Sequence, residues 1–183
     1  LGRILVALLL FAGSATAAEV ELDASQTTVN WTLGSTLHTV HGTFKLKRGT
    51  VRFDPATGQA SGEIVIDTTS GESGGSARDH RMHKEVLESE KYPEAVFKPE
   101  QIQGPVNLDG DSTLDVRGQF RIHGAGHPLT LHMLTRIKGG QASATTSFDI
   151  PFVKWGMKNP GNFLLKVDDH VGVEVKMSGK VKP

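Results

Sequence analysis

Period-two alternation of apolar and polar residues runs through most of the chain and stops once, at residues 77–92 (ARDHRMHKEVLESEKY). Successive side chains of a strand point to opposite faces of a sheet, so such alternation predicts half-buried β-strands. Within the interruption Met82, Val86 and Leu87 fall at helical spacing among charged residues. Pro93 ends that stretch, because proline has no N–H and holds its predecessor in extended geometry. The pattern predicts an all-β barrel or sandwich with one inserted α-helix.

The inward sets follow from parity. Val29, Trp31 and Leu33 share a face, as do Val40, Gly42, Phe44 and Leu46. Val51 and Phe53 lead into the turn at Asp54–Gly58, and Ile64, Ile66 and Thr68 form the next set. Beyond the helix come a strand from Val96 to Ile102 that carries Phe97, then Val116, Gly118, Phe120 and Ile122, then Leu129, Leu131 and Met133. Ala142, Ala144, Thr146, Phe148 and Ile150 share a face, and so do Val171, Val173, Val175 and Met177. About eight antiparallel strands with short turns predict an up-and-down arrangement whose apolar faces close on one another. A barrel of about eight strands is either filled by its own side chains or holds one small ligand. Gly42, Gly118, Ala142 and Ala144 are small at inward positions and favour open space, with Gly118 and Ala144 expected to keep a tunnel clear. Glycine in strands also marks bends and bulges, so the pattern leaves both interiors open.

At 183 residues the chain suffices for one domain with a sizeable core. An apolar run from Ile4 to Ala12 behind Arg3, then small residues from Ser14 to Ala18, predicts a secretory leader over residues 1–18 and a barrel domain over 19–183. The run is roughly half the length of about 20 residues that a membrane-spanning helix needs. Twenty basic residues balance twenty acidic ones, which offers no footprint for nucleic acid. Cysteine is absent, excluding disulfides, thiolate metal sites and lipid attachment through a cysteine. The expectation is an exported, periplasmic or secreted protein without a stable membrane anchor; a homodimer is compatible with this reading.

Catalytic chemistry finds little support. His38 and His41 point to opposite faces of a strand, and His80 with His83 would supply only two ligands where zinc takes three or four, so no metal site is expected. Solvated surface positions are expected for the histidines. Arg78 and Asp79, where a glycine-rich loop enters the helix, read as capping and loop-anchoring groups. No Gly-x-Ser-x-Gly elbow occurs. Phe152, Trp155, Met157 and Phe163 lie in or beside a Gly- and Pro-containing loop, which is either an apolar rim over the barrel mouth or a plug packed against its end.

Several segments in order carry a family resemblance: Arg78-Asp79-His80-Arg81-Met82-His83, Lys91-Tyr92-Pro93-Glu94-Ala95-Val96-Phe97, Val40-His41-Gly42-Thr43-Phe44, and Val116 to Gly124. Together they resemble the YceI-like family of secreted bacterial lipid-binding proteins. The resemblance implies a lipocalin-like barrel that holds a polyisoprenoid or isoprenoid quinone, binding or carrying it without enzymatic chemistry or a cofactor. On that reading Trp31, Gly42, Phe44, Phe53, Ile64, Ile66, Phe97, Gly118, Phe120, Ile122, Leu129, Leu131, Met133, Ala142, Ala144, Phe148, Val173 and Val175 line the lipid chamber, with Phe152, Trp155, Met157 and Phe163 at its entrance. The alternatives are an envelope module with a filled barrel and, less favoured, an enzyme acting on a lipid inside.

Overall fold

The computed structural model describes residues 17–182. Its strands are β1 (Ala18–Leu22), β2 (Thr28–Leu33), β3 (Val40–Phe53), β4 (Ala60–Glu72), β5 (Glu94–Gln103), β6 (Gly110–Ile122), β7 (Ala125–Lys138), β8 (Gln141–Ile150) and β9 (Val171–Lys182). The helix α1 (Ser76–Arg81) sits between β4 and β5. β1 and β2 occupy one position in the wall. β1 pairs with the later part of β3 and the end of β9, and β2 with the earlier parts of the same two strands. The nine strands therefore form an eight-stave antiparallel barrel, which closes where this split stave meets β9.

The two ends of the barrel differ. One carries only compact connections, residues 54–59, 104–109 and 139–140, and at Gly139-Gly140 both residues have positive φ, as a two-residue hairpin turn demands. The other carries the long connections: residues 34–39, the helical insertion, and residues 151–170. Phe53, Phe97, Ile102, Leu114, Val116, Leu131, Met133, Ile137 and Met177 are buried together, most of them toward the compact end.

Three elements depart from the reading by alternation. The first strand begins at Ala18, ahead of the first inward set read from the sequence at Val29, Trp31 and Leu33; AEVEL is too short a segment, directly behind the leader run, to show its period. α1 is also shorter than the interrupted stretch. It widens after Arg81 into a π-helical turn over Met82–Val86, then stops where Glu88 takes a left-handed conformation, φ 46°, and Ser89 N–H returns to the His83 carbonyl at 3.0 Å. The third departure is Val65. Parity places it on the solvated outer face, yet it is fully buried. It pairs in register with Val96, itself buried, and with Arg48. An outer ion cluster joins Arg48 to Glu63 at 2.9 Å and to Glu94 at 3.1 Å, and Lys47 to Glu94 at 3.0 Å. Those hydrogen bonds, from Lys47 first, hold the Glu94 carboxyl below its ordinary pKa. The leader reading concerns residues that lie almost wholly outside those described.

Candidate functional site

The inward side chains do not fill the half of the barrel nearer the long connections. A cavity of ≈ 540 Å³ remains there, within the roughly 300–1,000 Å³ typical of small-molecule pockets. Its wall combines Trp31, Phe44, Ile66, Phe120, Ile122, Phe148, Val173 and Val175 from the strands with Met82, Val86 and Leu87 from the helical insertion and Phe152, Met157, Pro160, Leu165 and Val167 from residues 151–170. Polar groups are few: Ser35, His38, Thr68, Arg78 and Arg81. Thr68 is satisfied, donating its hydroxyl to the Tyr92 carbonyl at 2.6 Å.

The sequence-derived lining divides by depth. Phe53, Ile64, Phe97, Leu129, Leu131, Met133, Ala142 and Ala144 belong to the packed core rather than the cavity wall. Gly118 is no spacer. A Cβ there would stand 2.1 Å from the Lys98 carbonyl oxygen and 3.0 Å from the Phe97 ring, so glycine lets two backbones approach closely. At Gly42 a Cβ would stand 2.3 Å from the Trp31 ring, which lies across the glycine. Gly42 lines a second hollow, of ≈ 930 Å³, beside Asn30, Thr32, His41 and Glu174, which shares Trp31, Phe148 and Val173 with the chamber wall.

The expected entrance residues also separate. Phe152 and Met157 are buried and form part of the cavity wall, acting as a plug. Trp155 stacks on His127, with ring centroids 4.0 Å apart and planes 5° apart, and its other neighbour is Phe120 at 6.1 Å. Phe163 is almost fully exposed. Lys158 joins this loop to the helical insertion by donating to Glu85 at 2.6 Å; that bond, with Arg81 adding to it, holds the Glu85 carboxyl below its usual pKa.

Three histidines are structural rather than solvated: His83, His127, and His123, whose Nε2 stands 2.6 Å from Glu88 with its ring against Tyr92. His83 Nε2–H donates to the Gly71 carbonyl at 2.8 Å, and Nδ1 is hydrogen-bonded with Ser89 Oγ at 2.9 Å. Burial pushes the His127 pKa below its ordinary value, and the imidazole under Trp155 is favoured as neutral. Arg78 donates to Ser73 Oγ and to the Ser73 carbonyl, while Ser73 Oγ donates to Asp79, so this pair anchors the glycine-rich loop. Among the described residues no group of three or more His, Cys, Asp or Glu side chains is placed to hold a metal.

Two donors in the cavity wall lack a close acceptor. Trp31 Nε1 is buried without a hydrogen-bond partner, and Arg81, whose side chain is 42% exposed, has a buried Nε whose facing group is Glu85 in a long ion pair at 3.6 Å. Buried donors are nearly always satisfied in folded proteins, so two on one apolar wall are a chemical feature of the site. Parity shows that Trp31 points inward; that Arg81 and the apolar face of the insertion reach the same space depends on how the insertion folds over the barrel.

Comparison with known proteins places this architecture. A polyisoprenoid binding domain from Saccharophagus degradans superposes with a TM-score of 0.70 at 18% identity, over 89% of this chain and 98% of that one. Burkholderia cenocepacia BcnA gives 0.68 at 19% identity, over 86% and 98%. In sequence, a UPF0312 protein of Pseudomonas putida is 32% identical over 180 residues, covering 91% of this chain and 90% of the relative. The pattern of the YceI-like domain matches residues 21–179, and with it the barrel from the end of β1 to the last turn of β9: the chain belongs to the YceI-like family.

Proposed function

We propose that this protein binds and carries an apolar isoprenoid lipid, with the tail in the ≈ 540 Å³ cavity and an oxygen-bearing head toward Arg81. The observation that carries the reading is an apolar chamber with few polar groups in its wall, among them Trp31 Nε1 without an acceptor and Arg81 with only a long ion pair to Glu85. Each buried CH₂ contributes roughly 0.8 kcal/mol, so a branched hydrocarbon tail is held without directional contacts. A quinone carbonyl or a phosphate oxygen supplies the acceptor that the donors need. At about 30 Å³ per group, the share of one water in the liquid, the chamber takes roughly 18 carbon-sized groups, or three to four isoprene units. A longer chain has to run on through the mouth. Sequestration of this kind makes and breaks no bond.

We place the protein in the periplasm, on the leader pattern of residues 1–18. Cleavage after Ala17 leaves β1 whole, and cleavage after Ala18 removes only its first residue. The intact mass of exported protein checks this, and a retained leader overturns it. Native mass spectrometry and solvent extraction of gently purified protein test the ligand: a stoichiometric isoprenoid lipid is expected. A lipid-free protein that also fails to bind a fluorescent prenyl probe defeats the proposal in favour of an envelope module without a ligand.

A further inference from the structure

The tightest turn in the long connection before β9 is built the wrong way round for a solvent loop. Asn162 Oδ1 accepts from the backbone N–H groups of Leu164 and Leu165 at 2.9 and 2.8 Å, and Asn162 N–H donates to the Leu165 carbonyl at 2.8 Å. Such a turn ordinarily carries Gly, Asn, Asp or Ser at its centre. Here the centre is Phe163 and Leu164, 96% and 85% exposed. The neighbouring connection adds Leu37, 75% exposed. The two connections are tied together, since Thr36 N–H donates to the Lys166 carbonyl at 3.0 Å and Ser35 forms a bridge with Val167. Ser35, His38, Leu165 and Val167, which flank these apolar tips, are themselves part of the chamber wall.

We infer that Leu37, Phe163 and Leu164 form a tip that inserts into the surface of an anionic lipid bilayer and brings the chamber mouth to the membrane. A few bulky apolar side chains projecting from a held turn suit shallow burial at the headgroup boundary. They do not suit a protein partner, because a stable interface needs about 800 Å² from each side and a projecting tip is no broad face. The free cation nearest the tip gives the choice of an anionic surface. Lys166, two residues past Leu164, has no ion-pair partner among the described residues, and basic groups near a membrane are drawn to anionic lipid. Asp168 and Asp169 follow, Asp168 with its N–H on the Gly34 carbonyl and its carboxylate against Gly34 at the base of the Leu37 connection, and Asp169 bonded to His170. This inference rests on the lipid-carrier reading for its purpose, though its test does not.

The experiment is sedimentation of the exported protein with vesicles of phosphatidylethanolamine and phosphatidylglycerol, compared with the double variant Phe163→Ser/Leu164→Ser. In parallel, binding of a soluble fluorescent prenyl probe is measured without vesicles. The expected result is vesicle association that the double variant lowers at least tenfold, a change of about 1.4 kcal/mol. Probe binding should remain intact, and Leu37→Ser should weaken association further. Equal sedimentation of wild type and double variant overturns the inference, as does a wild type that stays in solution. A concentration-dependent dimer abolished by the double variant, without vesicle association, also overturns it and assigns the tip to a second copy. If vesicle association is lost with the tip but the probe never binds, the membrane surface stands and the carrier reading fails.

Discussion

Two single positions decide how far the interior can be altered. A methyl at Gly118 meets the Lys98 carbonyl, a backbone atom that cannot swing away, so Gly118→Ala should destabilise by about 1–3 kcal/mol, read as a lower urea midpoint. His127 acts through protonation. Burial holds its folded pKa below the ordinary 6.5, so its contribution is intact above about pH 6.5 and is lost as pH falls from there toward the lowered value. His170 works the other way, because its hydrogen bond to Asp169 raises its pKa: what it contributes is present below 6.5 and lost as pH rises through the raised value. His127→Phe keeps a ring beneath Trp155 without a titrating group. Its melting temperature relative to wild type should therefore improve progressively below pH 6.5 and stay flat above it. A constant difference across pH 5 to 8 would show that the stack does not titrate.

The strands separate a packed stretch from an open one, and they do so along their length rather than between faces. Ala144 faces Thr135 and Met177 in the packed stretch, whereas Val175, pairing with Val29 and Thr146, borders the chamber. Phe at position 144 should cost about 1–3 kcal/mol of stability, with prenyl-probe binding per folded molecule unchanged. Val175→Phe should keep the midpoint near wild type while weakening the probe, since the added ring occupies tail volume. Opposite results in titration and unfolding would invert the assignment of the two halves. This split explains what the sequence could and could not tell. Parity is legible from residue types, and Trp31, Phe44, Phe120, Phe148 and Val173 point inward as read. Depth along the barrel axis leaves no mark on a period of two, so Phe53 and Leu131 look the same as Phe44 until register is known. Val65 escapes for a related reason: its outer-face register neighbours, Arg48 and the buried Val96, lie on other strands, which alternation does not record. The apolar face of the helical insertion, Met82, Val86 and Leu87, is visible as spacing, but only the folded chain shows it roofing the chamber.

At the scale of the whole molecule, closure depends on the short β1. It covers the later part of β3 and the end of β9, and an uncovered strand edge is a template for pairing with another chain. A chain shortened to begin at Asp23 should therefore melt earlier and scatter light on standing, while one beginning at Ala18 should not. The same arrangement fixes a polarity. Ala18 pairs with Phe53 and Glu19 with Lys182, so the first and last strands finish side by side at the compact end, the full height of the barrel away from the loops around Phe163. A tether, reporter or affinity handle joined to either terminus would thus hang from the blind pole and leave the working pole facing outward. The molecule can be held by its tail and still present its mouth.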